Sequence, residues 1–239
     1  MPAFRPTIDA MGVRHRQRCR THALVELFRM TDHRLRPGLS YCMIGSRAIF
    51  LDLAASRYFL LEGAGAEHLA AFAEGTSSAD GLAWLLEQGL IEPGASQAAR
   101  VSAPSPVASL HDRHLGTPKP WLLLEAIAGQ SCARRSLAHH SLGALLEASA
   151  VPGADADPVQ LRPIAAAIER ASRYRDATDQ CLARGLAMRA MLARRGLSAD
   201  VVIGVMLPFA AHCWIQSGTT VLSDPLDRIA NFTPLLTVR

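Results

Sequence analysis

Between residues 39 and 61 the chain runs in short apolar bursts. Leu39-Ser-Tyr-Cys-Met-Ile44, Ala48-Ile-Phe-Leu-Asp-Leu53 and Arg57-Tyr-Phe-Leu-Leu61 are rich in branched and aromatic residues. Gly45-Ser-Arg47 and Ala54-Ala-Ser56 separate them, which predicts an antiparallel meander. The period then lengthens. Ala66 to Phe72 reads as a helix. Ser77, Ser78 and Asp80 offer an N-cap for a second one, with Leu82, Leu85 and Leu86 on one face. Gly89 ends it before Leu90-Ile91. Three strands with two or three helices over residues 35–93 make a unit with a thin core.

Residues 94–119 break this pattern. Gly94, Pro104, Pro106, Gly116 and Pro118 lie among small polar residues, so the stretch reads as a linker, with Val107 and Leu110 as possible anchors. From residue 120 to the end the pattern is that of a second domain. Trp121 to Ala128, Ser136 to Ala148 and Leu161 to Arg173 have helical spacing, with Pro152 to Pro158 as a loop. A further helix starts near Cys181 and buries Leu182, Leu186, Met188, Met191 and Leu192. Arg194-Arg195-Gly196 stops it. Strands are predicted near residues 200–207, 211–216 and 219–223.

Candidate chemistry sits in this last region. Thr178 or Asp179 can cap the helix, placing Cys181 in its first turn, where free N–H groups and the helix dipole favour a thiolate. Strand alternation puts His212, Trp214 and Gln216 on one face. Gly218 permits a tight turn that brings Asp224 back beside His212. A thiol, an imidazole and a carboxylate in this order form a Cys-His-Asp set for acyl transfer. Each residue also has a plainer reading: an inert cysteine, a packing histidine, an Asp-Pro turn cap. Asp227 is a weaker alternative acid. Gln180 either donates an N–H to an oxyanion or caps a turn. Trp214 either walls a cleft or packs in the core.

Charge changes little. The 239 residues hold 25 Lys plus Arg against 21 Asp plus Glu, a formal net charge of +4, which does not demand nucleic acid. Arg14, His15, Arg16, Arg18, Arg20 and His22 give residues 1–34 the look of a basic arm, either solvated or in contact with an acidic peptide or RNA. Five cysteines occur without a CxxC pair or zinc-ligand spacing, so no metal is expected, and reduced cytoplasmic thiols fit better than disulfides. No apolar run is long enough to predict a membrane span, and no phosphate-binding loop or other cofactor signature stands out.

Residues 160–237 resemble the lasso-peptide biosynthesis B protein. The likeness rests on Cys181-Leu-Ala-Arg-Gly-Leu, Arg195-Gly196, Val202-Ile-Gly-Val205, Pro208-Phe-Ala-Ala-His-Cys-Trp-Ile215 and Leu222-Ser-Asp224. Cys213 and Gln216 depart from the family's usual Ala and Glu. Residues 35–92 are similar to the small winged-helix-like leader-recognition domain found with such proteins, through the hairpin Ile49 to Leu53 and Arg57 to Leu61. The resemblance implies an α+β chain with a winged-helix-like peptide-recognition domain followed by a papain/transglutaminase-like cysteine protease domain. It implies Cys181 as nucleophile, His212 as base and Asp224 as orienting acid. It further implies a lasso-peptide precursor whose leader adds to a sheet edge, with Ile49, Leu51, Leu53, Tyr58 and Leu60 as candidate peptide contacts. An ATP-dependent lasso cyclase is the implied partner. Two other readings use the same residues: a transglutaminase-like acyltransferase or amidase, and a non-catalytic precursor-binding adaptor.

Overall fold

The computed structural model describes the backbone of residues 8–10 and residues 32–95, 103–148, 157–174 and 180–239. The basic cluster from Arg14 to His22 and the candidate caps Thr178 and Asp179 lie outside the described residues. The chain is α+β. Residues 6–100 form one compact unit, β-rich, and residues 101–239 belong to another, of mixed helix and strand.

The first unit holds the meander. β3 (Leu39–Ile44), β4 (Arg47–Asp52) and β5 (Arg57–Leu61) pair antiparallel, and β1 (Ile8–Ala10) runs parallel to β5, giving the order β1-β5-β4-β3. The two-residue turn Gly45-Ser46 closes the first hairpin, with Gly45 at φ 60°. Asp52 closes the second: its Oδ1 accepts from the N–H groups of Ala54 and Ala55 at 3.0 Å, and its Oδ2 accepts from Arg36 at 2.8 Å. α1 (Ala64–Ala73) and α2 (Ala79–Glu87) supply Leu69 and Leu85 to a core shared with Leu39, Phe50, Phe59 and Leu61. The Phe50 and Phe59 rings stack at 4.7 Å. The Ser78 hydroxyl caps α2 by accepting from the Gly81 N–H at 3.1 Å. β2 (His33–Leu35) and β6 (Ile91–Pro93) add a two-stranded ribbon.

This arrangement corrects the candidate peptide contacts. Ile49 and Leu51 sit on the central strand and are fully buried, and Tyr58 is nearly so. A strand paired on both sides has no backbone free to add another, and its packed side chains present nothing to a ligand. Leu53 and Leu60 remain half-buried. Among the described residues, the edges without a neighbouring strand are those of β3 and β1.

The second unit has a sheet of order β11-β8-β9-β10-β7, made of β7 (Ala108–Ser109), β8 (Asp200–Met206), β9 (Ala210–Ser217), β10 (Thr220–Val221) and β11 (Thr233–Val238). β7 comes from the stretch read as linker and runs parallel to β10. Leu110, in the short 3-10 turn after it, is buried, whereas Val107 is 71% exposed, so only Leu110 anchors. The helices are α3 (Pro120–His139), α4 (Leu142–Ala148), α5 (Pro158–Ser172), α6 (Cys181–Ala193) and α7 (Leu226–Ile229). α3 is longer than the apolar spacing implies. Its middle is held by contact between small residues, a Cβ on Gly129 falling 3.4 Å from the Ala187 Cβ of α6. At the other end of α6, Arg194 and Arg195 both pair with Glu125 of α3, at 2.7 and 2.6 Å.

β8 carries a glycine for a packing reason. A Cβ on Gly204 would lie 2.7 Å from the Trp214 ring and 3.0 Å from the Phe232 Cβ. Trp214 is fully buried among Val202, Val221 and Ile229 and has no room to swing. Gly204→Val is therefore expected to lower the unfolding free energy by about 1–3 kcal/mol, read as a lower denaturant midpoint. An unchanged midpoint would show that the indole yields.

Candidate active site

Cys181 is the first residue of α6, and Gln180 occupies the cap position before it. The Gln180 side chain makes no cap hydrogen bond, so the turn-capping alternative is not realised. Its amide Nε2 is buried without a hydrogen-bond partner among the described residues. A buried amide donor with nothing to donate to is costly and calls for an explanation.

β9 and the segment after β10 bring the other groups in. β10 ends at Val221, so the outer edge of β9 beyond it has no strand to pair with. Side chains take that place. The Ile215 N–H donates to the Ser223 hydroxyl at 2.9 Å. Next along, the Cys213 N–H donates to the Cys181 sulfur, which the Leu182 N–H also reaches. The thiol thus lodges where a strand ends and a helix begins.

His212 hydrogen-bonds both neighbours. Its Nε2 lies 3.1 Å from Asp224 Oδ1, and the ring also bonds the Cys181 side chain. The ring packs against Phe232 at 5.4 Å and Trp214 at 6.5 Å. Asp224 is buried and its carboxylate is well held. Ser223 Oγ donates to Oδ2 at 2.6 Å, Arg228 lies 3.5 Å from Oδ1, and Ser109 Oγ donates to the Asp224 carbonyl at 2.7 Å. Arg184, one turn along α6 from Cys181, donates to the Ser223 carbonyl at 2.8 Å. It is Asp224, not the exposed Asp227, that meets the imidazole.

The charges follow from this packing. Burial alone would raise the Cys181 pKa, but the His212 hydrogen bond and charge, with the two backbone N–H groups, bring it below the ordinary thiol value. Burial would lower that of His212. The hydrogen bonds and charges of Asp224 and Cys181 instead raise it to about 9. Asp224 stays below the usual carboxylate range: burial opposes this, and the bonds to His212 and Ser223 outweigh it. Both shifts favour a thiolate–imidazolium pair over the neutral pair. The other described thiols differ. Burial raises Cys42 to about 11 and Cys213 well above the ordinary value. Iodoacetamide at neutral pH is therefore expected to alkylate Cys181 ahead of Cys42, Cys213 and the exposed Cys132. Faster labelling of Cys132 would contradict a stabilised thiolate.

Trp214 does not wall a cleft. It lies in the core behind His212, and its Nε1 donates to Gln216 Oε1 at 3.2 Å. Gln216 in turn donates to the carbonyls of Pro104 and Gly218, at 2.5 and 2.7 Å. Gly204 explains the placement, since the bare Cα opposite leaves space for the indole.

The residues around Cys181 also match a known family. Residues 126–237 fit the profile of the transglutaminase-like superfamily. This part of the chain is similar to transglutaminase-like domains. It contains Cys181, His212 and Asp224, and the match links the chain to the cysteine enzymes of that superfamily. The matched span begins inside α3, so β7 and Ser109, which brace Asp224, lie before it. No curated protein and no solved structure matches the chain significantly. Among the described residues no group of three or more His, Cys, Asp or Glu could hold a metal ion, and no helix is long and apolar enough to cross a membrane.

Sequence reasoning missed Ser223, Arg184 and Ser109. Ser223 has a local signal, since it directly precedes Asp224. Ser109 has none, because 115 residues separate it from the group it holds.

Proposed function

We propose that the chain is a cysteine endopeptidase that binds a ribosomal lasso-peptide precursor and removes its leader. The observation that carries this reading is the shared hydrogen bonding of Cys181, His212 and Asp224, with His212 between the other two. The Cys181 thiolate attacks the scissile carbonyl. His212 protonates the departing amine, and water then hydrolyses the thioester with His212 as base. Asp224 holds the ring and stabilises its charged form. The developing oxyanion is met by N–H groups at the start of α6, and the unpartnered Gln180 Nε2 is suited to add a donor there.

The freed core amine is the group a separate ATP-dependent lasso cyclase would join to a side-chain carboxylate, in the same cytoplasmic compartment. The first unit, read as a winged-helix-like recognition domain, supplies a sheet edge for an extended leader. In the β3–β4 hairpin, Ile44 pairs with Arg47 across a two-residue turn, so the Met43 N–H points to the free side of β3. Met43→Pro should therefore weaken precursor binding about tenfold while sparing cleavage of a short leaderless substrate. Unchanged affinity would place recognition elsewhere.

The superfamily match also favours a second reading, acyl transfer to an amine instead of water. Mass spectrometry of a candidate precursor incubated with the protein separates the two. Two fragments gaining one water between them mean hydrolysis, and loss of ammonia means amide exchange. An intact precursor would reject both.

A further inference from the structure

The chemistry above leaves one cavity of the second unit unused. It has a volume of about 620 Å³ and lies between the 111–118 loop and α5. Its charged lining is biased toward cations. Arg113 and Arg170 face it with no ion-pair partner among the described residues, and Arg173 is held only loosely by Glu169, at 3.7 Å. The lining acids are already engaged. Asp112 accepts from the Ser109 N–H at 2.8 Å, and Glu169 sits between Arg173 and Arg184.

His111 lines the same space. The His111 ring bonds the Leu222 backbone, and its Nε2 is buried with no partner. Burial disfavours its charged form. The cavity thus presents guanidinium donors for a carboxylate. An acidic residue within a peptide offers such a carboxylate. The volume suits a short peptide segment.

Two lining residues, Glu169 and His111, connect the cavity to the segment that carries Asp224. Arg184 lies 4.0 Å from Glu169 and donates to the Ser223 carbonyl at 2.8 Å, beside Asp224. His111 bonds Leu222, two residues before Asp224. We infer that this cavity is a substrate subsite that selects an aspartate or glutamate side chain of the peptide, gripped by Arg113 and Arg170. This rests on the peptide-substrate reading and adds a sequence preference to it.

Binding separates the inference from turnover. Labelled short peptides carrying one glutamate at successive positions in a neutral background, and their glutamine counterparts, are titrated against the full-length Cys181→Ala protein by fluorescence anisotropy. At a defined position glutamate is expected to bind about tenfold more tightly than glutamine, the size of one charge-assisted hydrogen bond. Adding Arg113→Ala and Arg170→Ala should bring that ratio to about one, and the two lysine substitutions should keep part of it. No glutamate preference at any position, or a preference that survives the double alanine variant, overturns the subsite. If the peptidase reading alone fails, wild type leaves these peptides uncut while the preference in binding persists.

Discussion

Replacing Cys181 by alanine should abolish leader removal while leaving precursor affinity unchanged. The thiolate is the one group in the proposed reaction that forms a covalent bond, and the imidazole beside it has no acyl carrier without it. Loss of a nucleophile typically costs about 10⁴-fold or more in turnover. The substitution is small, and Cys181 is only partly buried, so the fold should tolerate it. Mass spectrometry reads cleavage and anisotropy reads binding on the same preparation. Residual cleavage at a tenth of the wild-type rate would remove Cys181 from the role of nucleophile.

Asp224→Asn should have the next largest effect, in turnover and in pH dependence. The amide keeps the shape but offers no charge to the imidazolium, and turnover should fall by about 10²–10⁴-fold. The sign of the pH effect follows from the shifts. The active pair forms as pH rises through the lowered pKa of Cys181 and is lost as His212 gives up its proton near 9. Asp224 is among the groups that raise His212, so removing its charge moves the alkaline limb to lower pH. The thiolate in turn loses part of its imidazolium partner, and the acidic limb moves up. The variant's kcat/KM profile should be narrower from both sides. A profile of wild-type width with normal turnover would make another acid the orienting group.

How much could be read in advance varied from one element to the next. The β3–β4–β5 meander, the Ser78 cap and the start of α6 at Cys181 follow from residues close in the chain, where spacing and local hydrogen bonding suffice. α3 was harder. Its central residues show little apolar periodicity, and what keeps them helical is the close approach of Gly129 to Ala187 on another helix. The stretch around Ser109 looked like a linker because its composition is that of a loop. Its pairing with β10 and its bond to the Asp224 carbonyl depend on partners more than a hundred residues away.

For the candidate site the division is similar. Residue type and order alone made Cys181, His212 and Asp224 candidates, because a helix start activates a thiol and a short hairpin returns an acid to a histidine. Only tertiary structure chose Asp224 over Asp227, sent Trp214 into the core and left the Gln180 amide without a partner. It also buried Ile49 and Leu51 on a central strand. Chain proximity sets which groups can meet, whereas burial and hydrogen-bond satisfaction depend on what the rest of the chain packs around them.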